Sequence, residues 1–337
     1  RYGVDIDLLS RGAGFGYIGS TITSLIYASF TFIFFALESA ILASALEILF
    51  GLPLMGGYLL SSLIIIPLVT HGITLISRFK LWTQPIWIVL QLLPFAFILW
   101  HEWDAAIEWV NFHGAMEPVQ SPHSDRSSFN LLYFGAASAV VFSLIAQIGE
   151  QVDFLRFLPE PGDSRRQRLR WWAALIGGGP GWIVVGAFKF LAGSFLAVLA
   201  LQHGLSLREA SDPTQMYRIA FSYLSDSPLV IMALTGIFVI LCQIKINVTN
   251  AYAGSIAWSN FFSRLTHSHP GRVVWLGFNV MIALMVMVLG VYESLEHILG
   301  IYSNVAVAWV GALVADLIIN KPLGLSPKHI EFKRAYL

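Results

Sequence analysis

The sequence predicts an all-α, polytopic membrane protein. Its residues are 56% hydrophobic and 12% charged, and its mean hydropathy is +0.70. A soluble domain carries about 25% charged residues. Apolar runs of about 20 residues, the length that crosses a bilayer as a helix, recur along the chain. Because a lipid-facing segment must satisfy its own backbone polar groups, we expect each run to be helical.

Eight spans can be drawn, and we expect them to form one transmembrane domain over residues 1–337. Several exceed the ~20 residues that a membrane requires, which predicts tilt, breaks or protrusion. The chain begins at Arg1 and ends at Leu337, just after a polar loop, so we expect a fragment of a longer protein that is truncated at both ends. The predicted spans are 16–50, 54–77, 82–100, 131–157, 171–203, 228–262, 273–291 and 295–320.

The basic residues predict the orientation of these spans. Most Lys and Arg residues fall into connections on one side of the membrane, which the positive-inside rule makes cytoplasmic. We therefore expect a multi-pass protein of the cell membrane. The balance of 20 basic and 20 acidic residues argues against a nucleic-acid partner. The basic connections are the N-terminus, 78–81, 156–170, 263–272 and 321–337.

The sixth span, 228–262, carries polar residues at membrane depth. Ionisable groups there are costly, so a functional role is the first hypothesis. Lys245 and Thr249 lie about 40° apart on one helical face by the 3.6-residue period, and Asn247 and Asn250 lie roughly opposite. An amide donates and accepts at once, which suits the edge of a nucleobase or lactam. Lys245 would be a fixed cation or a proton carrier. The structural alternative is that Lys245 neutralises a buried acid and that the asparagines bond across helices.

The first span places Phe34 and Glu38 on one helix face, four residues apart. An aromatic ring beside a carboxylate suits a flat heterocycle, since the ring stacks and the acid accepts from N–H groups. The alternative is a structural ion pair of Glu38 with Lys189 or Lys245. Buried acids are expensive in either case, so both interpretations stay open.

The fourth span, 131–157, becomes polar in its second half, where Ser143, Gln147 and Glu150 occur. A discontinuous helix would free backbone amides and carbonyls there for a ligand. Asp153 and Arg156 lie three apart, and we expect them to form a structural pair at the cytoplasmic end. No nucleophile–base pair, phosphate loop or metal-ligand spacing is found along the chain, so we expect no enzymatic activity, cofactor or metal.

The order and spacing of several short stretches resemble the nucleobase:cation symporter-1 family, the cytosine, purine, allantoin and hydantoin permeases. The cytosine-permease branch is the most similar. Such a resemblance implies a LeuT-like inverted repeat of twelve helices, of which this chain would supply about eight, helices three to ten. The matching stretches are Ser138-Ala-Val-Val, Asp153-Phe154-Leu155-Arg156-Phe157, Asn247 with Tyr252-Ala253, and Val314-Ala315-Asp316.

The resemblance also implies site residues. Phe34 matches an aromatic wall, Glu38 matches a glutamine that hydrogen-bonds substrate, and Asn247 matches a substrate-binding asparagine. Ser143 and Leu144 fall at a wall where relatives offer an aromatic ring, and Phe142 beside them could substitute. Gln147 and Asn250 complete the substrate-binding set that we predict.

A departure from the family concerns the driving ion. Lys245 and Ile246 fall at two positions that resemble those where sodium-coupled relatives have hydroxyl residues that ligate sodium. A hard cation needs oxygen ligands, which neither side chain supplies. Lys245, with Thr249 beside it, would therefore replace the ion. We expect proton coupling, uniport or a locked protein rather than sodium coupling.

The function that follows as an expectation is secondary active transport of a small planar nitrogen heterocycle, such as a nucleobase, by alternating access. The partners would be that substrate, a coupled proton and the lipid bilayer. The alternative is a transporter-like sensory module that binds such a ligand and signals through a C-terminal part beyond Leu337.

Overall fold

The computed structural model describes residues 3–112, 114, 131–268, 270–290 and 294–330, and every regular element within them is helical. A π-helical turn (Arg11–Phe15) follows the first helix, another (Ala315–Asn320) follows the fifteenth, and a 3-10 turn (Leu144–Ala146) joins the seventh to the eighth. The helices are α1 (Ile6–Ser10), α2 (Gly16–Phe50), α3 (Leu54–Leu63), α4 (Ile65–Thr70), α5 (Ile73–His101), α6 (Trp103–Val110), α7 (Leu131–Ser143), α8 (Gln147–Leu155), α9 (Arg165–Gly178), α10 (Gly181–Gln202), α11 (Leu207–Ala210), α12 (Pro213–Ser222), α13 (Pro228–Thr266), α14 (Arg272–Val288), α15 (Leu295–Val314) and α16 (Lys321–Leu323).

Six helical segments in the described ranges are long and apolar enough to cross a membrane. Two further apolar helices, Leu54–Thr70 and Arg272–Val288, are shorter. The all-α class is therefore confirmed, and the helices are consistent with a polytopic membrane protein. The six segments are Ile6–Phe50, Ile73–His101, Leu131–Leu155, Gly181–Gln202, Pro228–Thr266 and His297–Leu323.

The predicted boundary at 78–81 is wrong. Helix α5 runs through these residues without interruption, and the chain breaks earlier, at Gly72, whose φ of 83° lies in the left-handed region that glycine tolerates. A second break follows Leu63. Pro67 has no N–H to donate to the carbonyl of Leu63, four residues back, which explains why α3 ends there. The residues of the second and third predicted spans therefore belong to α3, α4 and α5, and Arg78 and Lys80 lie inside α5.

The fifth predicted span, 171–203, contains a break of the kind that its excess length predicted. It divides between α9 and α10 at Gly179-Pro180, where proline cannot continue the hydrogen-bond ladder. In the fourth span the chain tightens into the 3-10 turn Leu144–Ala146 but stays helical from Leu131 to Leu155, so a discontinuous helix that frees backbone groups stays a prediction. A tighter turn inside a helix shifts the direction of the backbone groups around it.

The chain divides into two compact units. The first consists of Arg1–Ala36, Leu132–Val184 and Thr249–Leu337. The second consists of Leu37–Leu131 and Val185–Val248. The expected single transmembrane domain over 1–337 stays a prediction.

A buried asparagine joins three helices of the first unit. Asn279 of α14 is fully buried, and its Oδ1 accepts from Thr31 Oγ1 at 3.3 Å and from Trp258 Nε1 at 3.0 Å. Gly254 lies against the same node, where a Cβ would come within 2.7 Å of Thr31 Oγ1. The small residue lets α13 approach α2 and α14 closely enough for these bonds.

An apolar cluster holds α2, α5, α12 and α13 of the second unit together. The rings of Tyr217 and Phe238 lie 4.3 Å apart at its centre, and Tyr217 also accepts from Gln91 Nε2 at 2.7 Å. A close approach of α2 and α3 adds to this packing. A Cβ at Gly57 would lie 2.7 Å from Ala43 Cβ and 3.0 Å from its Cα. The buried members of the cluster are Ala45, Leu90, Phe221, Phe238 and Val239.

Gly57→Ala is expected to lower the thermal unfolding midpoint of the detergent-solubilised protein. The added methyl would meet the Ala43 backbone, and overpacking of this kind costs about 1–3 kcal/mol. Gly56→Ala is the matched control, since its Cβ would meet Leu52 Cδ1 at an ordinary 3.4 Å. Alanine also gains about 1 kcal/mol of helix propensity over glycine, so the control should be neutral or stabilising. Equal midpoints for the two variants would contradict the close approach.

Candidate functional site

Polar side chains gather in the second unit near the middle of four apolar helices. We call this group the mid-helix cluster. Helix α2 supplies a carboxylate, α5 a tryptophan and an amide, α10 a lysine, and α13 a lysine, an amide and a thiol. Groups of this kind are costly inside a bilayer unless protein or water surrounds them. The members are Glu38, Gln84, Trp87, Lys189, Cys242, Gln243 and Lys245.

Trp87 is the centre of the mid-helix cluster. The ammonium groups of Lys189 and Lys245 lie 5.3 Å and 5.5 Å from the centroid of its ring. Its Nε1 donates to Cys242 Sγ at 3.1 Å. A cation over an indole is stabilised by about 0.5–1 kcal/mol when exposed and by about 2 kcal/mol when desolvated. One indole thus holds two cations and one thiol in place.

Lys245 is half-buried and is held by neutral acceptors as well as by the indole. Its Nζ donates to Gln84 Oε1 at 2.7 Å and lies 3.5 Å from the carbonyl oxygen of Lys80. The charge of Lys189 acts on it repulsively. An amide oxygen that accepts from an ammonium forms a charge-assisted bond, which is about twice as strong as a neutral one. Lys80 and Gln84 belong to the same helix as Trp87, since α5 runs from Ile73 to His101. One helix therefore supplies all of these contacts to Lys245.

Glu38 is half-buried on α2. Its carboxyl interacts with the side-chain amide of Gln243, and Lys189 supplies the opposite charge that acts on it. Of the two lysines that we weighed as partners of Glu38, Lys189 is the one whose charge acts on its carboxyl, and the ion pair itself stays a prediction. Gln243 is buried, and no donor in the described ranges reaches its Oε1. The mid-helix cluster therefore keeps one buried acceptor, Gln243 Oε1, without a donor among the described residues.

Asn247 lies one turn from Gln243 on α13 and is fully buried. Its Nδ2 donates to Ser39 Oγ at 2.9 Å, so it is linked to the residue that follows Glu38 on α2. This bond fixes the plane of the amide group. Glu38, Lys245 and Asn247 are the predicted site residues that lie in the second unit.

The remaining predicted residues lie in the first unit. Phe34 is buried, and its ring centroid is 4.7 Å from that of Phe30. Phe30 in turn stacks with Tyr302 of α15 at 6.3 Å and with Tyr27 at 6.5 Å. Phe34 therefore belongs to an aromatic layer between α2 and α15, as an aromatic wall requires. Its role towards a ligand stays a prediction.

The fourth span places its predicted residues in different surroundings. Phe142 is 47% exposed, while Ser143 is buried and donates to the carbonyl oxygen of Val140 at 2.7 Å. Leu144 is half-buried. Gln147 is buried, and no donor in the described part of the chain reaches its Oε1. Gln147 is thus the member of this group with an acceptor still to satisfy.

Thr249 and Asn250 of α13 are buried within the first unit. The predicted site residues are therefore divided between the two units, and their convergence on one ligand stays a prediction. No group of three or more His, Cys, Asp or Glu side chains in the described ranges is arranged to hold a metal ion.

The expected pair between Asp153 and Arg156 is wrong. Arg156 forms its salt bridge with Asp5 at 3.5 Å. Asp153 instead accepts from the backbone N–H of Ile6 at 3.1 Å and from Tyr27 Oη at 3.2 Å. Helical spacing shows which residues share a face, but a partner on another helix can displace the neighbour one turn away.

Sequence reasoning missed Gln84, Trp87, Gln243 and Cys242. For Gln84 and Trp87 the cause is the misplaced boundary at 78–81, which made them look like residues near the end of a span. In α5, which begins at Ile73, both lie near the middle. A glutamine at mid-span beside a tryptophan was the signal that could have identified this part of the cluster.

Comparison with known protein families gives no match for the chain, and comparison with curated proteins gives none either. The resemblance to the nucleobase:cation symporter-1 family stays a prediction. The broader class, a membrane protein with several helical spans, rests on the structure alone. Long apolar helices that carry charged and amide groups near their centres are compatible with a multi-pass membrane protein.

A double-mutant cycle of Gln84→Leu with Lys245→Met tests the cluster. We expect the two changes to be coupled, because hydrogen bonds to charged groups contribute about 1.5–3 kcal/mol. The readout is the thermal or denaturant-induced unfolding of the purified protein in lipid nanodiscs. The matched control is the cycle of Gln91→Leu with Tyr217→Phe, a neutral bond of the same 2.7 Å length from the same helix. A coupling no larger than that of the neutral pair would argue against the Lys245–Gln84 bond.

Proposed function

We propose that the protein is a secondary transporter of a small planar nitrogen heterocycle, a nucleobase or a related compound, that works by alternating access. The observation that carries the proposal is the mid-helix cluster, in which a carboxylate, two ammonium groups, two amides and an indole lie near the centres of apolar helices. Polar groups at this depth commonly mark substrate pathways in membrane proteins. Transporters often bind their substrate near the bilayer midplane.

The chemistry of the second unit suits such a substrate. Glu38 can accept from ring or exocyclic N–H groups, and the Asn247 amide can donate and accept on a heterocycle edge. The bond from Asn247 to Ser39 would hold the amide in one orientation, which favours one edge pattern over others. The stacking role that the resemblance implies for Phe34 stays a prediction.

The driving ion is proposed not to be sodium. Sodium sites need several oxygen ligands. Lys245 instead brings an ammonium group, held by Gln84 and Trp87. We also propose that the protein resides in the cell membrane with its basic connections in the cytoplasm, following the positive-inside rule.

Substitution of Glu38 and Asn247 is expected to abolish or weaken binding. A thermal-shift screen of the purified protein against nucleobases, ureides and hydantoins first identifies the ligand. Glu38→Gln and Asn247→Ala should then each weaken its binding about 10- to 100-fold, since a lost hydrogen bond to a charged or buried group costs about 1.5–3 kcal/mol. Binding is measured by isothermal calorimetry in nanodiscs.

Glu47→Gln is the control for that experiment, because Glu47 lies on the same helix but is exposed. It should bind the ligand as the wild type does. Wild-type affinity in both Glu38→Gln and Asn247→Ala, with folding intact, would place the site elsewhere and remove the support for this assignment.

Uptake of the same radiolabelled ligand into proteoliposomes is expected to be independent of a sodium gradient. The ammonium group of Lys245 would supply the positive charge that a bound sodium ion supplies in sodium-coupled transporters, so sodium is not needed there. Parallel measurements in sodium and in choline buffers should give equal initial rates. Strong sodium dependence would contradict the proposed role of Lys245.

A further inference from the structure

Asp153 of α8 is a buried carboxylate whose direct partners are neutral. The residue is 0% exposed and lies in the candidate membrane segment Leu131–Leu155. Its Oδ1 accepts from the backbone N–H of Ile6, and its Oδ2 accepts from Tyr27 Oη. Neither donor carries charge. Burying an ionised carboxylate without a cation in contact is expensive, and such groups commonly take up a proton instead.

Other buried aspartates of the first unit are paired differently. Asp7 forms a salt bridge with Arg264, and Asp316 forms one with Lys321 at 3.2 Å. Arg156, the cation nearest in sequence to Asp153, is engaged by Asp5. Among the described residues, Asp7 and Asp316 each have a cation in direct contact, whereas Arg156 acts on Asp153 only from a longer distance.

The charged and titratable groups around Asp153 are mostly acidic. Helix α1 and the residue before it bring Asp7 and Asp5, while α8 brings Glu150 and Arg156. Glu150 is buried and, like Asp153, acts on Tyr27 through its charge. Tyr27 of α2 and Tyr302 of α15 complete the set, and the arginines of α9 are exposed. Arg264 pairs with Asp7 and Arg156 pairs with Asp5, so among the described residues neither arginine is in contact with Asp153. A carboxyl group without solvent access and without a cation in contact favours a bound proton.

We propose that Asp153 is a proton-binding site and that the proton it takes up is the one coupled to transport. The coupling part rests on the proposed function, whereas proton binding does not. One proton is bound and one is released in this step. The carboxylate takes the proton from water on one side of the membrane and becomes a carboxylic acid. It later returns the proton to water on the other side. Carboxylates inside membrane segments commonly carry protons in this way.

The bonds of Asp153 explain how a proton would act on the fold. The ionised carboxylate ties α8 to Ile6 at the start of α1 and to Tyr27 of α2. Tyr27 also packs tightly on α8, where a Cβ at Gly149 would lie 2.6 Å from its ring. When Asp153 carries the proton on Oδ2, its O–H can donate to Tyr27 Oη while Oδ1 still accepts from Ile6. Protonation therefore reverses the hydrogen bond to Tyr27 and removes the charge from the carboxyl group.

Infrared difference spectroscopy of the full chain in nanodiscs tests proton binding without any substrate. The wild type should show a carboxylic acid band that disappears as the pH is raised. Asp153→Asn should lack this band. Asp316→Asn, which removes a buried aspartate with a cation in contact, should retain it. No pH-dependent band in the wild type, or its persistence in Asp153→Asn, would overturn the proposal.

Tyr27→Phe keeps the test decisive if Asp153→Asn does not fold. The variant removes only the hydroxyl that donates to Oδ2, so the frequency of the carboxylic acid band should shift. An unshifted band would mean that the titrating acid is not Asp153, and the proposal would fail.

Proteoliposomes with an internal pH dye test the coupling. A gradient of the identified heterocycle should drive proton movement in the wild type and in Asp316→Asn. Asp153→Asn should exchange substrate but move no protons. Proton movement that persists in Asp153→Asn would overturn the coupling. If no heterocycle is taken up by the wild type, the proposed function fails, while the infrared band still decides whether Asp153 binds a proton.

Discussion

The structure depends on one constraint, which is that hydrocarbon cannot hydrate a polar group. Backbone groups meet this constraint inside long helices such as α2 and α13, which is why every regular element in the described ranges is helical. Side chains must meet it through one another. Asn279 Oδ1 accepts from Thr31 and Trp258 and thereby links α14 to α2 and α13. Such bonds specify which helices pack together, because apolar contacts alone resemble contacts with lipid.

The two units satisfy their charged groups in different ways. In the first unit, the acids Asp7 and Asp316 each contact a cation. The pair of Asp7 with Arg264 joins α1 to the end of α13, and the pair of Asp316 with Lys321 is local to one helical segment. In the second unit, Lys245 is held by a neutral amide and by the face of Trp87. Ion pairs in direct contact neutralise each other and leave little charge for a ligand. The mid-helix cluster combines charged groups with amides and an indole near the centres of apolar helices, and for that reason it is our candidate for recognition.

The sequence allowed the helical class and the approximate position of most spans to be predicted, because apolar length is a local property. The errors arose where local signals competed. The basic residues Arg78 and Lys80 suggested a connection, but Gly72 and Pro67 ended the helices earlier. That error hid Trp87, since a residue is recognised as central only when both ends of its helix are correct. The depth of Glu38 and Lys245 could be predicted for the same reason that the spans could.

Partners between distant helices could not be predicted, because spacing along one helix carries no information about the next one. Asp153 shows this directly, since Arg156 lies one turn away and yet pairs with Asp5. The consequence bears on the driving ion. Lys245 is a permanent charge wherever it stays protonated, so it can replace a bound cation but cannot by itself be driven by a gradient. A group that gains and loses its charge must supply that link. Under the proposed function, a carboxylate held only by neutral donors meets this requirement, whereas a carboxylate already paired with an ammonium or guanidinium group does not.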